Sequence, residues 1–95
     1  MKLEFVRDRK SEIQELAASH GARNVRLFGS VARGDSREDS DVDLLVDLDA
    51  GRSLFDLGGL LMDLRDLLGA EVDLIEAGSL HPYVRDRVLA EAIPL

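Results

Sequence analysis

Apolar residues recur along this chain with two different periods, and the alternation between them predicts most of its elements. Val6, Ile13, Leu16 and Ala17 return at helical spacing, and Gly21 supplies a stop, so one helix is expected over residues 3–19. Val25-Arg26-Leu27-Phe28 is a short β-prone run cut off by Gly29, after which Val31 to Arg33 is read as a single helical turn beginning at that glycine. A polar loop is expected from Gly34 to Ser40. Residues 41–48 then alternate with the period of a strand. Val42, Leu44, Val46 and Leu48 fall on one face, while Asp41, Asp43, Leu45 and Asp47 fall on the other.

Ser53 followed by Asp56 has the spacing of a capping box, with Asp in place of the usual Glu or Gln. It opens a helix that carries Leu54, Leu57, Leu61, Leu64 and Leu68 on one face and ends at Gly69. Gly58-Gly59 inside that helix cost about 1 kcal/mol each relative to alanine, so close packing against a neighbour is expected there. Glu71 to Glu76 reads as a third strand, with Val72 and Leu74 on one face and Asp73 on the other. Ser79 or a neighbour caps a last helix reaching Ala92, with Val84, Val88, Leu89 and Ala92 inward and Pro94 as its end. The order α-β-(short α)-β-α-β-α predicts an α/β fold, a small sheet covered by helices.

Composition narrows the range of functions. Ninety-five residues are expected to form one domain, residues 1–95, with 45% hydrophobic and 33% charged residues. Nineteen acids against twelve bases give a net charge of −7, only two of the bases are lysine, and no basic cluster exists. A broad nucleic-acid or anionic-membrane surface as partner is therefore not expected. The absence of cysteine excludes disulfides, thiolate metal sites and cysteine nucleophiles. No apolar run approaches the ~20 residues of a membrane span, and the charged start MKLEFVRDRK is unlike a signal peptide, so a cytoplasmic protein is expected.

Three features carry candidate chemistry: Gly29-Ser30 directly after a strand, Asp41-x-Asp43 on one strand face, and Asp73 on a later strand. Taken singly, each is ordinary: a turn, a solvated acidic edge, an exposed strand residue. Together they combine hard oxygen ligands, suited to Mg²⁺ or Mn²⁺ and not to zinc, with a backbone site for phosphate. Two strand carboxylates two residues apart, joined by a third from a neighbouring strand, allow two ions roughly 3.5–4 Å apart, as in-line displacement at phosphorus uses. The glycine permits close backbone approach and the helix start offers free N–H groups to an anion.

Rival motifs fail on single positions. Gly29 to Ser36, GSVARGDS, has the spacing of a phosphate-binding P-loop but places Asp35 where the lysine belongs. A calcium loop begun at Asp39 has Leu44 at the glycine position and Ala50 in place of the final carboxylate.

Gly29-Ser30, ten residues, then Asp41-Val42-Asp43 is the GSx10DxD pattern, and it resembles the nucleotidyltransferase superfamily that includes DNA polymerase beta. The string GSVARGDSREDSDVDLLV is similar to the minimal nucleotidyltransferases, proteins of about this length, and the likeness is tight from Phe28 to Val46. Asp73 in Val-Asp-Leu-Ile fits the family's third carboxylate, and the C-terminal RDRVLAEAIPL resembles these proteins as well.

The resemblance implies a polymerase beta-like fold, a small mixed sheet flanked by helices, using Mg²⁺ and ATP. It implies an antitoxin that transfers AMP to a tyrosine hydroxyl of a partner HEPN-type ribonuclease toxin. On that reading Gly29 and Ser30 hold the triphosphate with Arg33 nearby, Asp41 and Asp43 bind metal, and Asp73 completes the metal site and assists or deprotonates the acceptor hydroxyl. Charge and size independently favour a protein acceptor over nucleic acid.

Other readings stay open at this level. Arg33 either touches phosphate or pairs with an acid, and Asp35, Glu38, Asp39, Asp47 and Asp49 are read as solvated surface. His20 is read as a helix-cap residue, and Arg85 and Arg87 as helix-surface charges. Tyr83, the single tyrosine, is read as a packing residue, with partner contact or self-modification as the alternative. The rival to the enzyme is a binding module that neutralises its partner by occlusion. A weaker third reading is transfer to a small molecule or RNA end with a partner subunit's help.

Overall fold

The computed structural model describes residues 1–37 and 40–95. Its elements run α1 (Leu3–Arg7), α2 (Lys10–Ser19), β1 (Ala22–Phe28), α3 (Gly29–Arg33), β2 (Val42–Leu48), α4 (Leu54–Leu68), β3 (Val72–Glu76), a 3-10 turn (Ala77–Ser79), α5 (Pro82–Glu91) and β4 (Ile93–Pro94). The sheet order is β3-β2-β1-β4. β1 is antiparallel to both β2 and β4, whereas β2 and β3 are parallel. A parallel neighbour requires a long crossover, and the 15-residue α4 supplies it.

The strand alternation read from residues 42–48 holds in the packing. Val42, Leu44 and Val46 are fully buried with Leu27 and Val72, against Ile13 and Ala17 of α2 and Leu60, Leu64 and Leu68 of α4. On the opposite face the register sets Asp43 between Phe28 and Asp73, and the next row sets Leu45 between Arg26 and Ile75. Leu45 is fully buried although it lies outside the main core cluster. The capping box forms with aspartate: Ser53 Oγ accepts from Phe55 N–H at 3.2 Å, and Ser53 N–H donates to Asp56 at 2.9 Å.

Several expectations are corrected. The first helix is two, because Arg9 turns back at the break. Its N–H bonds Val6 O at 3.0 Å, and its guanidinium bonds Phe5 O at 3.0 Å and lies 3.5 Å over the Phe5 ring. β1 starts three residues early at Ala22, through a bulge at Asn24 (φ 54°) that a polar Arg-Asn pair concealed. Ile93–Pro94 is a fourth strand; its proline is tolerated because it is an edge strand of two residues, too short to show alternation. Leu54 is exposed at the start of α4.

The expected inward face of α5 does not form. Val84 and Leu89 are exposed, Val88 is only half-buried, and Tyr83 is 92% exposed, so Tyr83 is not a packing residue. The cap of α5 is His81, whose Nδ1 accepts from Tyr83 N–H at 3.2 Å. Glu38 and Asp39, read as solvated, lie outside the described residues.

Asp47 is not free surface. It accepts from Asn24 Nδ2 and from Arg26 Nη2, each at 3.0 Å. These bonds, the Asn24 amide first, hold its carboxyl below the usual range. A carboxylate lowered in this way stabilises the fold above its unfolded value, and that stability is lost as pH falls through the folded value. Asp47→Asn is therefore expected to cost about 1 kcal/mol at pH 7, and the deficit should disappear as pH falls through the lowered Asp47 carboxyl. Thermal melts of both proteins across pH check this; a deficit independent of pH would contradict it.

The glycine pair in α4 divides. An added Cβ at Gly59 would lie 2.9 Å from His20 Cε1, on the ring whose Nε2 is 2.7 Å from Asp63 Oδ2, while one at Gly58 meets nothing within 4 Å among the described residues. Close packing was expected at both and occurs at one. Gly58→Ala should raise stability by about 0.5–1 kcal/mol through helix propensity. Gly59→Ala should lose that gain by displacing His20 from Asp63, and denaturant melts of the two variants separate the cases.

Candidate active site

The candidate residues come together where β1 ends and β2 and β3 begin. Phe28 closes β1 with extended backbone, and Gly29 opens α3 at φ +73°. An added Cβ at Gly29 would overlap the Asp43 carboxylate and stand 3.0 Å from its Cγ. The Gly29 backbone thus seats directly against Asp43. Ser30, half-buried, follows in the first turn, where N–H groups have no intrahelical acceptor. Its carbonyl accepts from Asp35 N–H at 3.1 Å, and Gly34 closes the turn in the left-handed region at φ +80°.

Asp43 and Asp73 are direct neighbours across the parallel β2–β3 pair. Asp41, exposed, lies just before β2. Asp43 is half-buried, and its carboxyl is raised above the usual range by burial first, then by the charges of Asp73 and Asp41. The Arg33 guanidinium pulls it in the opposite direction. Arg33 itself pairs with Asp35 at 3.3 Å and approaches Glu91 of α5 at 3.9 Å. Glu91 was missed from sequence: it lies 58 positions beyond Arg33, with nothing local to mark it.

An all-carboxylate donor set whose members repel one another suits a hard divalent cation, which would offset that repulsion. Among the described residues, no three carboxylate or imidazole groups stand close enough to enclose an ion. This agrees with the habit of Mg²⁺, which is bound by one or two carboxylates together with substrate phosphates and water. The residues present therefore fit a nucleotide-dependent metal site better than an all-protein cage.

The nucleotidyltransferase domain family model matches residues 6–95. The chain belongs to that family. This nucleotidyltransferase is 41% identical over 80 residues to the protein adenylyltransferase MntA of Thermococcus cleftensis, covering 84% of this chain and 81% of its relative. A solved structure of a candidate minimal nucleotidyltransferase is 52% identical, with a TM-score of 0.90, covering 100% of this chain and 97% of that one.

A more distant structure holds the tri-AMPylated HEPN toxin of Shewanella oneidensis with an MNT antitoxin. It shares the fold at 19% identity and a TM-score of 0.70, covering 93% of this chain and 69% of that one. The family and the mixed α/β fold, a small sheet flanked by helices, that the resemblance implies are thus borne out. Among the described residues, no helix of this nucleotidyltransferase is long and apolar enough to cross a membrane.

Proposed function

We propose that this enzyme transfers AMP from ATP to a tyrosine hydroxyl of a partner HEPN-type toxin and thereby acts as an antitoxin in the cytoplasm. The observation that carries the reading is Asp43 and Asp73 side by side on β2 and β3, with the Gly29 backbone against Asp43. The MntA relative, an adenylyltransferase by name, supports AMP as the group transferred. The AMPylated toxin bound by a protein of the same fold supports the acceptor class.

Each residue has a task in that reaction. Gly29 and Ser30 receive the triphosphate on backbone N–H groups, and Arg33 offers its guanidinium to the same phosphates. Asp43 with its neighbour Asp73, and Asp41 just before β2, would ligate Mg²⁺ only together with the substrate phosphates and water. When bound, the cation offsets charge on the phosphates and lowers the pKa of an oxygen it touches. Asp73, exposed on the outermost strand, accepts the proton of the acceptor hydroxyl. The hydroxyl oxygen bonds the α-phosphorus, the bond from that phosphorus to the β-bridging oxygen breaks, and pyrophosphate leaves.

Incubating the protein with ATP, Mg²⁺ and a HEPN-type toxin should add one or more AMP masses to the toxin, read by intact-mass spectrometry. Chelation by EDTA should abolish the gain. A toxin of unchanged mass that is nonetheless inhibited in a stable complex would replace this reading with neutralisation by occlusion. The exposed Tyr83, Val84 and Leu89 of α5 are the observation that favours that second reading.

A further inference from the structure

The open edge of the sheet lies beside the acceptor side of the site. β3 is an outermost strand, and among the described residues no strand pairs with its far side. Its orientation follows from one bond: Val42 N–H donates to Glu71 O at 2.9 Å while Val42 is in register with Val72. In a parallel ladder this directs the peptide groups of Asp73 and Ile75 toward β2. The N–H and C=O groups of Val72 and Leu74 and the N–H of Glu76 therefore point away from the sheet, available to an added strand, while the Glu76 carbonyl already accepts from Ser79 Oγ at 2.8 Å.

We propose that the acceptor protein docks here as an extended segment that adds to β3, placing its modified residue level with Asp73. The proposal rests on the transfer reading above and specifies its partner surface. Strand spacing decides the kind of side chain that can react. An added strand lies about 4.8 Å beyond Asp73 and about twice that from Asp43, so the hydroxyl must reach back across β3. A tyrosine has that reach along the face shared by Asp43 and Asp73; a serine on the same strand falls short.

Charge limits the segment further. Glu71, Asp73 and Glu76 line this edge, and among the described residues only Glu71 of the three has a cationic partner, Arg65 at 3.3 Å. A complementary acceptor segment carries lysine or arginine next to its tyrosine.

The test uses the full-length ¹⁵N-labelled protein, a HEPN-type toxin, Mg²⁺ and a non-hydrolysable ATP analogue, with amide exchange read by NMR. Complex formation should slow exchange at Leu74 and Glu76 by about tenfold or more, while Asp73 and Ile75, already bonded to β2, change little. In the transfer assay, Glu71→Lys/Glu76→Lys should raise KM for the toxin by about tenfold and leave ATP-analogue binding unchanged. Transfer of AMP with no change at Leu74 and Glu76 overturns the docking surface, as does protection confined to α5. Failure of the wild-type protein to modify the toxin at all overturns the transfer reading and this inference with it.

Discussion

Asp43→Asn is expected to lower AMP transfer by about 10³-fold, equivalent to about 4 kcal/mol of transition-state stabilisation. Asp43 stands at the centre of the site, with Asp73 beside it, the Gly29 backbone against its carboxylate and Arg33 near enough to influence its charge. The amide keeps the shape and removes the charge that a cation needs. Stability should move the other way. Because burial and two like charges raise the Asp43 carboxyl, its ionised form opposes folding once pH exceeds the unfolded value.

In metal-free buffer at pH 7, Asp43→Asn should therefore melt at a higher temperature than the wild type, and the advantage should shrink as pH falls into the carboxylate range. Adding Mg²⁺ with an ATP analogue should raise the melting temperature of the wild type more than that of the variant. A loss of activity with a lower melting temperature would identify a folding defect. Transfer undiminished by the substitution would remove Asp43 from the chemistry.

The parts legible in the sequence were those with a local signature. The alternation from Val42 to Leu48 gave both the buried face and the carboxylate row, and a glycine after a β-prone run marked the start of α3. The pairing of Asp43 with Asp73 was not written in either strand. It depends on a parallel register set by the α4 crossover, so the chemistry of the three acids suggested neighbouring strands while neither strand's own pattern fixed the pairing. The turn at Arg9 comes from a guanidinium stacked on Phe5, a tertiary event that helical periodicity does not record.

α5 failed for a different reason. Its apolar positions have helical spacing, yet that spacing states only that a face exists, not what covers it. Val84 and Leu89 stay exposed because none of α5 joins the core cluster between the sheet, α2 and α4. Glu91 illustrates the same limit within the site, since its approach to Arg33 arises from where the helix ends.

Gly29→Ala should reduce transfer by about 10²-fold through geometry alone. Two effects act together at this position. At φ +73° an L side chain costs about 1–2 kcal/mol, and the new methyl group would occupy the space of the Asp43 carboxylate. The carboxylate is the end of a rotatable side chain and is the group that gives way. Folding survives, while the carboxylate turns out of line with Asp73 and the phosphates lose close approach to the backbone.

Gly34→Ala is the matched control. Its φ is +80°, so it carries the same backbone cost, but among the described residues nothing lies within 4 Å of the added carbon. The two variants should lose similar stability in denaturant melts and differ in transfer by about 10²-fold, a gap that backbone strain cannot supply. Equal losses of activity would mean that strain in α3, and not the displaced carboxylate, governs the site. Equal activity near that of the wild type would mean that the contact between Gly29 and Asp43 has no part in the reaction.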